Sequence, residues 1–239
     1  MQIEIWSDIV CPWCAIGRAR LQQALATFPH ASGVDVRYRS FELDPSAPRV
    51  REGSQADHLA AKTGRSHAQV ATMLEQVSAT AAVDGLTFRL DLTRSGNTFD
   101  AHRLLHLAAE RGIQGAVNER FQTAYFADGE PIGDAAALQR LAVDAGLAAD
   151  EVVDVLASDR YAAEVRADEA QARALGISGV PFFVIDRRYG VSGAQPVETL
   201  LGALHKAWDE QSPLPVVGAH SATHERSPDA ACTDDSCAV

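Results

Sequence analysis

Two cysteines stand two residues apart near the start of the chain, in the segment Asp-Ile-Val-Cys-Pro-Trp-Cys-Ala-Ile-Gly of residues 8–17. A pair at this spacing can close a disulfide, bind a metal ion, or pack as two small apolar side chains. The hydrophobic run before Cys11 predicts a buried strand, and the apolar spacing over residues 12–28 predicts a helix with Pro12 in its first turn. The pair therefore lies where a strand passes into a helix.

This position favours redox chemistry over simple packing. Cys11 is predicted to lie at the helix N-terminus, where unpaired backbone N–H groups and the helix dipole favour a thiolate over a thiol. The thiolate is the reactive form of cysteine, both as a nucleophile and as a leaving group. Cys14 comes round to the same face of the helix and can attack a mixed disulfide formed at Cys11. We expect Cys11 to be the exposed nucleophile and Cys14 the shielded resolving thiol.

The other two cysteines, Cys232 and Cys237, form a second close pair within the last eight residues. Four cysteines in two pairs do not predict a disulfide-dependent secreted fold. The second pair is interpreted as an auxiliary redox pair that exchanges with Cys11; a regulatory disulfide, a metal clip and incidental cysteines in an unstructured end stay open. Zinc held by both pairs is a minor alternative, because Pro12 and Trp13 suit a helix start better than a metal knuckle, and no metal is predicted.

The composition disfavours several classes of partner and location. A net charge of −11 argues against nucleic acid and anionic membrane surfaces. No apolar run reaches the roughly 18 residues needed to span a bilayer. The first ten residues include Glu4 and Asp8 and lack the basic region of a secretory signal. We therefore expect a cytoplasmic protein, a monomer or homodimer, acting on protein or low-molecular-weight thiols and disulfides.

The elements that must position the first cysteine pair fall into two halves with helices between them. Residues 1–45 predict β-α-β, and residues 176–211 predict a hairpin followed by a helix. Residues 46–175 are alanine-rich and helical in pattern, with one short extended piece at 86–92. The composition of residues 212–239 predicts a flexible tail. The chain is therefore predicted to be an α/β protein interrupted by a large helical insertion.

Five segments, taken together and in order, resemble the FrnE-like members of the DsbA family of thioredoxin-fold proteins. These segments are DIVCPWCAIG (8–17), FELDP (41–45), NTFDAHRLLHLA (97–108), GVPFFVI (179–185) and SGAQP (192–196). The resemblance covers roughly residues 1–210. It implies a thioredoxin fold interrupted by a large all-helical insertion, with thiol–disulfide oxidoreductase activity at Cys11 and Cys14.

The resemblance also concerns Pro181, which directly precedes an apolar strand. Base rates alone favour a trans bond before this proline. In the family the corresponding proline is cis, which would place the Val180 backbone beside the cysteine pair, able to bind an extended substrate chain. No organic cofactor is implied, and glutathione is retained as an alternative co-substrate.

Further polar and aromatic residues are candidates for secondary roles. Asp8 is interpreted either as a group that assists proton transfer at the thiols or as a turn residue. Trp13 is expected to rim the site or to pack. His102 shares a helix face with His106, and a polar lining of the substrate groove is favoured over a metal pair. Asn97 is predicted to be the N-cap of that helix.

Two other functions are kept as alternatives. A glutathione-dependent isomerase or transferase of the kappa and hydroxychromene-carboxylate isomerase type resembles this chain in fold and insertion but does not need two cysteines. A thiol-holding chaperone or binding module would use the insertion as a peptide groove. The intact Cys11–Cys14 pair favours the oxidoreductase.

Overall fold

A computed structural model describes residues 1–211, and all structural statements below concern that part of the chain. Its sheet has four strands in the order β2-β1-β3-β4. The strands are β1 (Gln2–Ser7), β2 (Asp35–Ser40), β3 (Phe182–Ile185) and β4 (Tyr189–Ser192). Strand β1 is parallel to β2 and antiparallel to β3, and β4 is antiparallel to β3.

Two helices and the sheet form the first core. Helix α1 (Pro12–Thr27) packs against α9 (Val197–Asp209), and both contribute to an apolar cluster with Ile3 and Ile5 of β1. Successive strand residues point to opposite faces of a sheet, so Trp6 belongs to a separate cluster on the other side. The apolar runs at β1 and β3 are strands that are buried on both faces for most of their length.

Seven helices lie between β2 and β3 in the described residues. They are α2 (Gln55–Thr63), α3 (His67–Val83), α4 (Phe99–Glu110), α5 (Gln114–Thr123), α6 (Ala135–Asp144), α7 (Ala149–Ala157) and α8 (Ala162–Ala174). A π-helical turn at Ala124–Asp128 follows α5. The core of this insertion also includes Ile9 and Ala15, which flank the cysteine pair, so the insertion packs directly on the candidate site. The predicted thioredoxin fold with an all-helical insertion is confirmed.

Two local predictions were wrong. The piece at 86–92 forms no strand, because a turn closed by the Leu92 N–H donating to the Arg89 carbonyl at 2.9 Å interrupts it. The Arg89 N–H donates to the Phe126 carbonyl, inside the π-helical turn, at 2.7 Å. The N-cap of α4 is Thr98, one residue after the predicted Asn97. The Asn97 side chain instead accepts a hydrogen bond from the Phe99 N–H at 2.9 Å, so it still satisfies one free donor of the helix start. Among the helices described, none is long and apolar enough to cross a membrane.

Candidate active site

The cysteine pair lies just beyond the end of β1, at the beginning of α1. Cys11 is the N-cap residue with an extended backbone, and Pro12 is the first helical residue. The Cys11 side chain makes no capping hydrogen bond, while its carbonyl accepts the N–H of Cys14 at 3.0 Å and of Ala15 at 3.3 Å. The sulfur of Cys11 is therefore held at the helix N-terminus without being engaged by the helix itself. Both cysteines are free thiols.

Residues from the other half of the sheet meet Cys11 across the fold. Trp6 of β1 pairs with Phe182 of β3, so the residues before β3 lie at the same sheet edge as those after β1. The Val180–Pro181 peptide bond is cis. The Sγ atom of Cys11 lies 3.6 Å from the carbonyl oxygen of Val180, close enough for a weak S–H hydrogen bond.

The expectation that Cys11 is exposed is wrong in this structure. Its exposed fraction is 4%, against 2% for Cys14. The two thiols therefore differ in their hydrogen-bond partners more than in accessibility.

The surroundings of Cys14 keep its thiol protonated. Burial raises the pKa of Cys14 well above its ordinary value, and the neighbouring Cys11 sulfur raises it further. The Ser7 hydroxyl and the Asp8 backbone amide act in the opposite direction, because hydrogen bonds to the sulfur stabilise the thiolate. Ser7 was not singled out from the sequence. Its position at the end of the buried strand that leads to the cysteines could have indicated a polar neighbour of the thiols.

Asp8 and His102 form a buried pair next to the site. Each is 1% exposed, and Asp8 Oδ1 lies 3.4 Å from His102 Nε2. Asp8 Oδ2 accepts the N–H of Leu43 at 2.8 Å. Neither Asp8 Oδ1 nor His102 Nε2 has a well-aligned hydrogen bond within residues 1–211. The prediction that His102 lines the substrate groove is wrong, because the side chain points into the protein.

A second polar cluster lies one turn further along α4. His106 Nε2 lies 3.2 Å from Asp168 Oδ2 and 3.2 Å from Ser40 Oγ, and Asp168 also pairs with Arg39. Asp168 was missed in the sequence. It shares the buried face of α8 with Val165, where an acidic residue at an apolar position is the available signal. The cluster joins α4 and α8 to β2 and does not reach the cysteines.

Trp13 borders a cavity between the start of α1 and the helical insertion. The side chain is 42% exposed, and with Pro12 it forms one wall of a cavity of about 340 Å³. The structure therefore brings Cys11, Cys14 and Val180 together and places Trp13 on the rim beside them. Cys232 and Cys237 lie outside the described residues. Within residues 1–211 there is no group of three or more His, Cys, Asp or Glu side chains arranged to hold a metal ion.

The strand order, the helical insertion and the dithiol at the start of α1 define a thioredoxin-fold protein with an interrupted core. Residues 2–205 match the model of the DSBA-like thioredoxin domain. The chain belongs to this family, whose members have a thiol–disulfide oxidoreductase fold.

Individual proteins are similar to this chain over most of its length. A probable DsbA oxidoreductase from Streptomyces coelicolor is similar with a TM-score of 0.86 and 48% identity, over 96% of this chain and 100% of that one. The uncharacterized protein YwbO of Bacillus subtilis is 26% identical over 195 residues, which cover 77% of this chain and 86% of the relative. The cytosolic disulfide reductase DsbM of Pseudomonas aeruginosa shares the fold, with a TM-score of 0.59 and 18% identity over 87% of this chain and 99% of that chain.

Proposed function

We propose that this protein is a thiol–disulfide oxidoreductase that works through Cys11 and Cys14. One observation carries the proposal: a free thiol at the N-cap of α1 faces the Val180 carbonyl, with a second thiol three residues further on. The helix N-terminus stabilises a thiolate at the first position. Burial holds the proton on the second thiol until it is needed.

The reduced protein reacts with a disulfide in two steps. The Cys11 thiolate attacks one sulfur of the substrate disulfide, forming a mixed disulfide and releasing the other sulfur as a thiolate. Cys14 then loses its proton and attacks the Cys11 sulfur, releasing the second substrate thiolate and closing the Cys11–Cys14 disulfide. Two electrons pass from the protein dithiol to the substrate disulfide. The reverse sequence oxidises a substrate dithiol.

Val180 and Pro181 are proposed to guide a protein substrate. The Val180 carbonyl accepts from Cys11 in the free protein and becomes available to a backbone N–H when the Cys11 sulfur enters a mixed disulfide. An extended segment of substrate would then lie beside the chain that leads into β3. The proposal requires no organic cofactor, and glutathione remains an alternative co-substrate. It places the protein in the cytoplasm, where paired cysteines serve redox chemistry more often than structural cross-links.

Trapping distinguishes the two thiols. With Cys14→Ser, the mixed disulfide at Cys11 has no intramolecular attacker, so we expect adducts with a disulfide substrate to accumulate on non-reducing gels and in mass spectra. The matched control, Cys11→Ser, should form few or none. Adducts formed equally by both variants would refute the assignment of roles. Activity that survives loss of both cysteines would favour the chaperone or binding module.

A further inference from the structure

The cavity beside Trp13 lies between the thioredoxin half of the protein and the insertion. Pro12 and Trp13 form its wall on the dithiol side, and Leu59, Leu74 and Val77 of α2 and α3 contribute apolar surface opposite. Its volume of about 340 Å³ falls in the range of small-molecule sites, which are mostly apolar with few polar groups. Neither cysteine lines the cavity, but the two residues between them form one of its walls.

Buried polar side chains also line this cavity. Asp8, Thr93 and Tyr125 are 1%, 4% and 2% exposed. Asp8 Oδ1 itself is turned toward His102 Nε2, 3.4 Å away. Burial raises the pKa of Tyr125, so its phenol stays protonated. These side chains add a few polar groups to a mainly apolar lining, as is usual for small-molecule sites.

Charged side chains lie at the rim and on the wall of the cavity. Arg51 and Lys62 are its two cations, and its two carboxylates are Asp44, which pairs with Arg51, and Asp8, which lies beside His102. Lys62 is exposed and makes no ion pair within the described part of the chain. Burial, together with the charges of Arg51 and Lys62, lowers the pKa of His58 on the same rim. Lys62 is therefore the lining cation that has no carboxylate partner within 4 Å among the described residues.

We infer that this cavity binds the organic group of a low-molecular-weight disulfide whose body is apolar or aromatic and which carries a carboxylate toward Lys62. The inference rests on the proposed function and names the substrate class of the same site. The reacting sulfur lies at Cys11 while the rest of the molecule occupies the cavity. In one turnover the reduced protein converts one such disulfide into two thiols and becomes the Cys11–Cys14 disulfide. A protein substrate would use the Val180 backbone instead and has less need of a cavity of this size.

The charge at the rim can be tested with two matched variants. Lys62 and Lys206 are both exposed and both lie in the last turn of their helices, α2 and α9, but only Lys62 lines the cavity. Pre-reduced protein is mixed with dithiobis(nitrobenzoate), an aromatic disulfide with carboxylates, or with dithiodipyridine, its uncharged aromatic counterpart. We expect Lys62→Gln to lower the second-order rate with the carboxylate disulfide about threefold and to leave the uncharged one unchanged. Lys206→Gln should change neither rate.

The volume of the cavity is tested by filling it. Ala47 lies in a loop on the cavity wall, and Ala47→Phe should slow both aromatic disulfides about tenfold. The small bis(hydroxyethyl) disulfide, which does not need the cavity, should react at the wild-type rate. If Ala47→Phe fails to fold, the rates of Lys62→Gln, which changes an exposed side chain, still test whether the cavity binds the substrate.

The outcomes separate the two proposals. Wild-type protein that reduces none of the three disulfides would refute the proposed function. Wild-type protein that reduces all three, with rates that neither Lys62→Gln nor Ala47→Phe alters selectively, would refute the cavity as a substrate site and favour protein substrates held at Val180.

Discussion

Gly17 of α1 packs directly against Pro181. A Cβ atom at Gly17 would lie 2.9 Å from Cγ of Pro181 and 3.2 Å from Cζ of Phe183. The missing side chain lets the helix that carries the dithiol approach the loop that carries Val180. The 3.6 Å contact between Cys11 Sγ and the Val180 carbonyl depends on this approach.

Gly17→Ala should therefore destabilise the protein, because the new methyl group overpacks a closed contact at a cost of about 1–3 kcal/mol. Higher helix propensity offsets up to about 1 kcal/mol of that loss. Gly202→Ala in α9 is the matched control, since nothing lies within 4 Å of its added Cβ, and it should stabilise the protein. Urea unfolding measures both free energies. Equal increases in the free energy of unfolding of the two variants would mean that the contact between Gly17 and Pro181 is not tight.

The resolving step should accelerate as pH rises. Cys14 attacks as a thiolate, and its raised pKa keeps it protonated near neutral pH, so the rate should rise about tenfold per pH unit below that pKa. Ser7→Ala removes a hydrogen bond that lowers this pKa, so resolution should slow at any given pH in this range. Decay of a mixed disulfide, followed by stopped flow, gives the profile. Ser40→Ala, at the position paired with Ser7 on β2, should leave the profile unchanged.

Substitutions at Asp8 distinguish proton transfer from a structural role. Asp8→Ala leaves the Leu43 N–H without its acceptor, which should cost about 1–3 kcal/mol of stability. Asp8→Asn keeps an oxygen for Leu43 and should lose less. If the carboxylate assists proton transfer, both variants should slow the resolving step at neutral pH. If Asp8 has only a structural role, Asp8→Asn should resolve the mixed disulfide at the wild-type rate.

Deletion of residues 230–239 tests the second cysteine pair. The pair lies outside the described residues, and we expect its removal to leave the free energy of unfolding and a single turnover at Cys11 unchanged. Because we predict exchange between the pairs, the rate at which the Cys11–Cys14 couple is recycled should change. Cys232→Ser with Cys237→Ser is the full-length control and should match the deletion. Loss of the single turnover would place the pair within the catalytic machinery.

Much of the fold could be predicted from the sequence because its signals are local. The hydrophobic run of β1 and the helical spacing after Pro12 each arise from neighbouring residues, and they place Cys11 at a helix start without any tertiary information. The order of strands and helices follows from the same patterns. Element boundaries were less secure, as Asn97 shows, because capping depends on one residue's hydrogen bond.

The tertiary structure alone decided what surrounds the two sulfurs. Cys11 meets Val180 across 169 positions of sequence, and Asp8 meets a histidine that is carried in by the insertion. The burial of Cys11 and of His102, both predicted to be accessible, follows from how the two halves of the sheet and the insertion close around the start of α1. Periodicity reports which face of an element is buried but not which distant residue it is buried against, and for this reason the sequence located the dithiol while only the packing of the chain determined its neighbours.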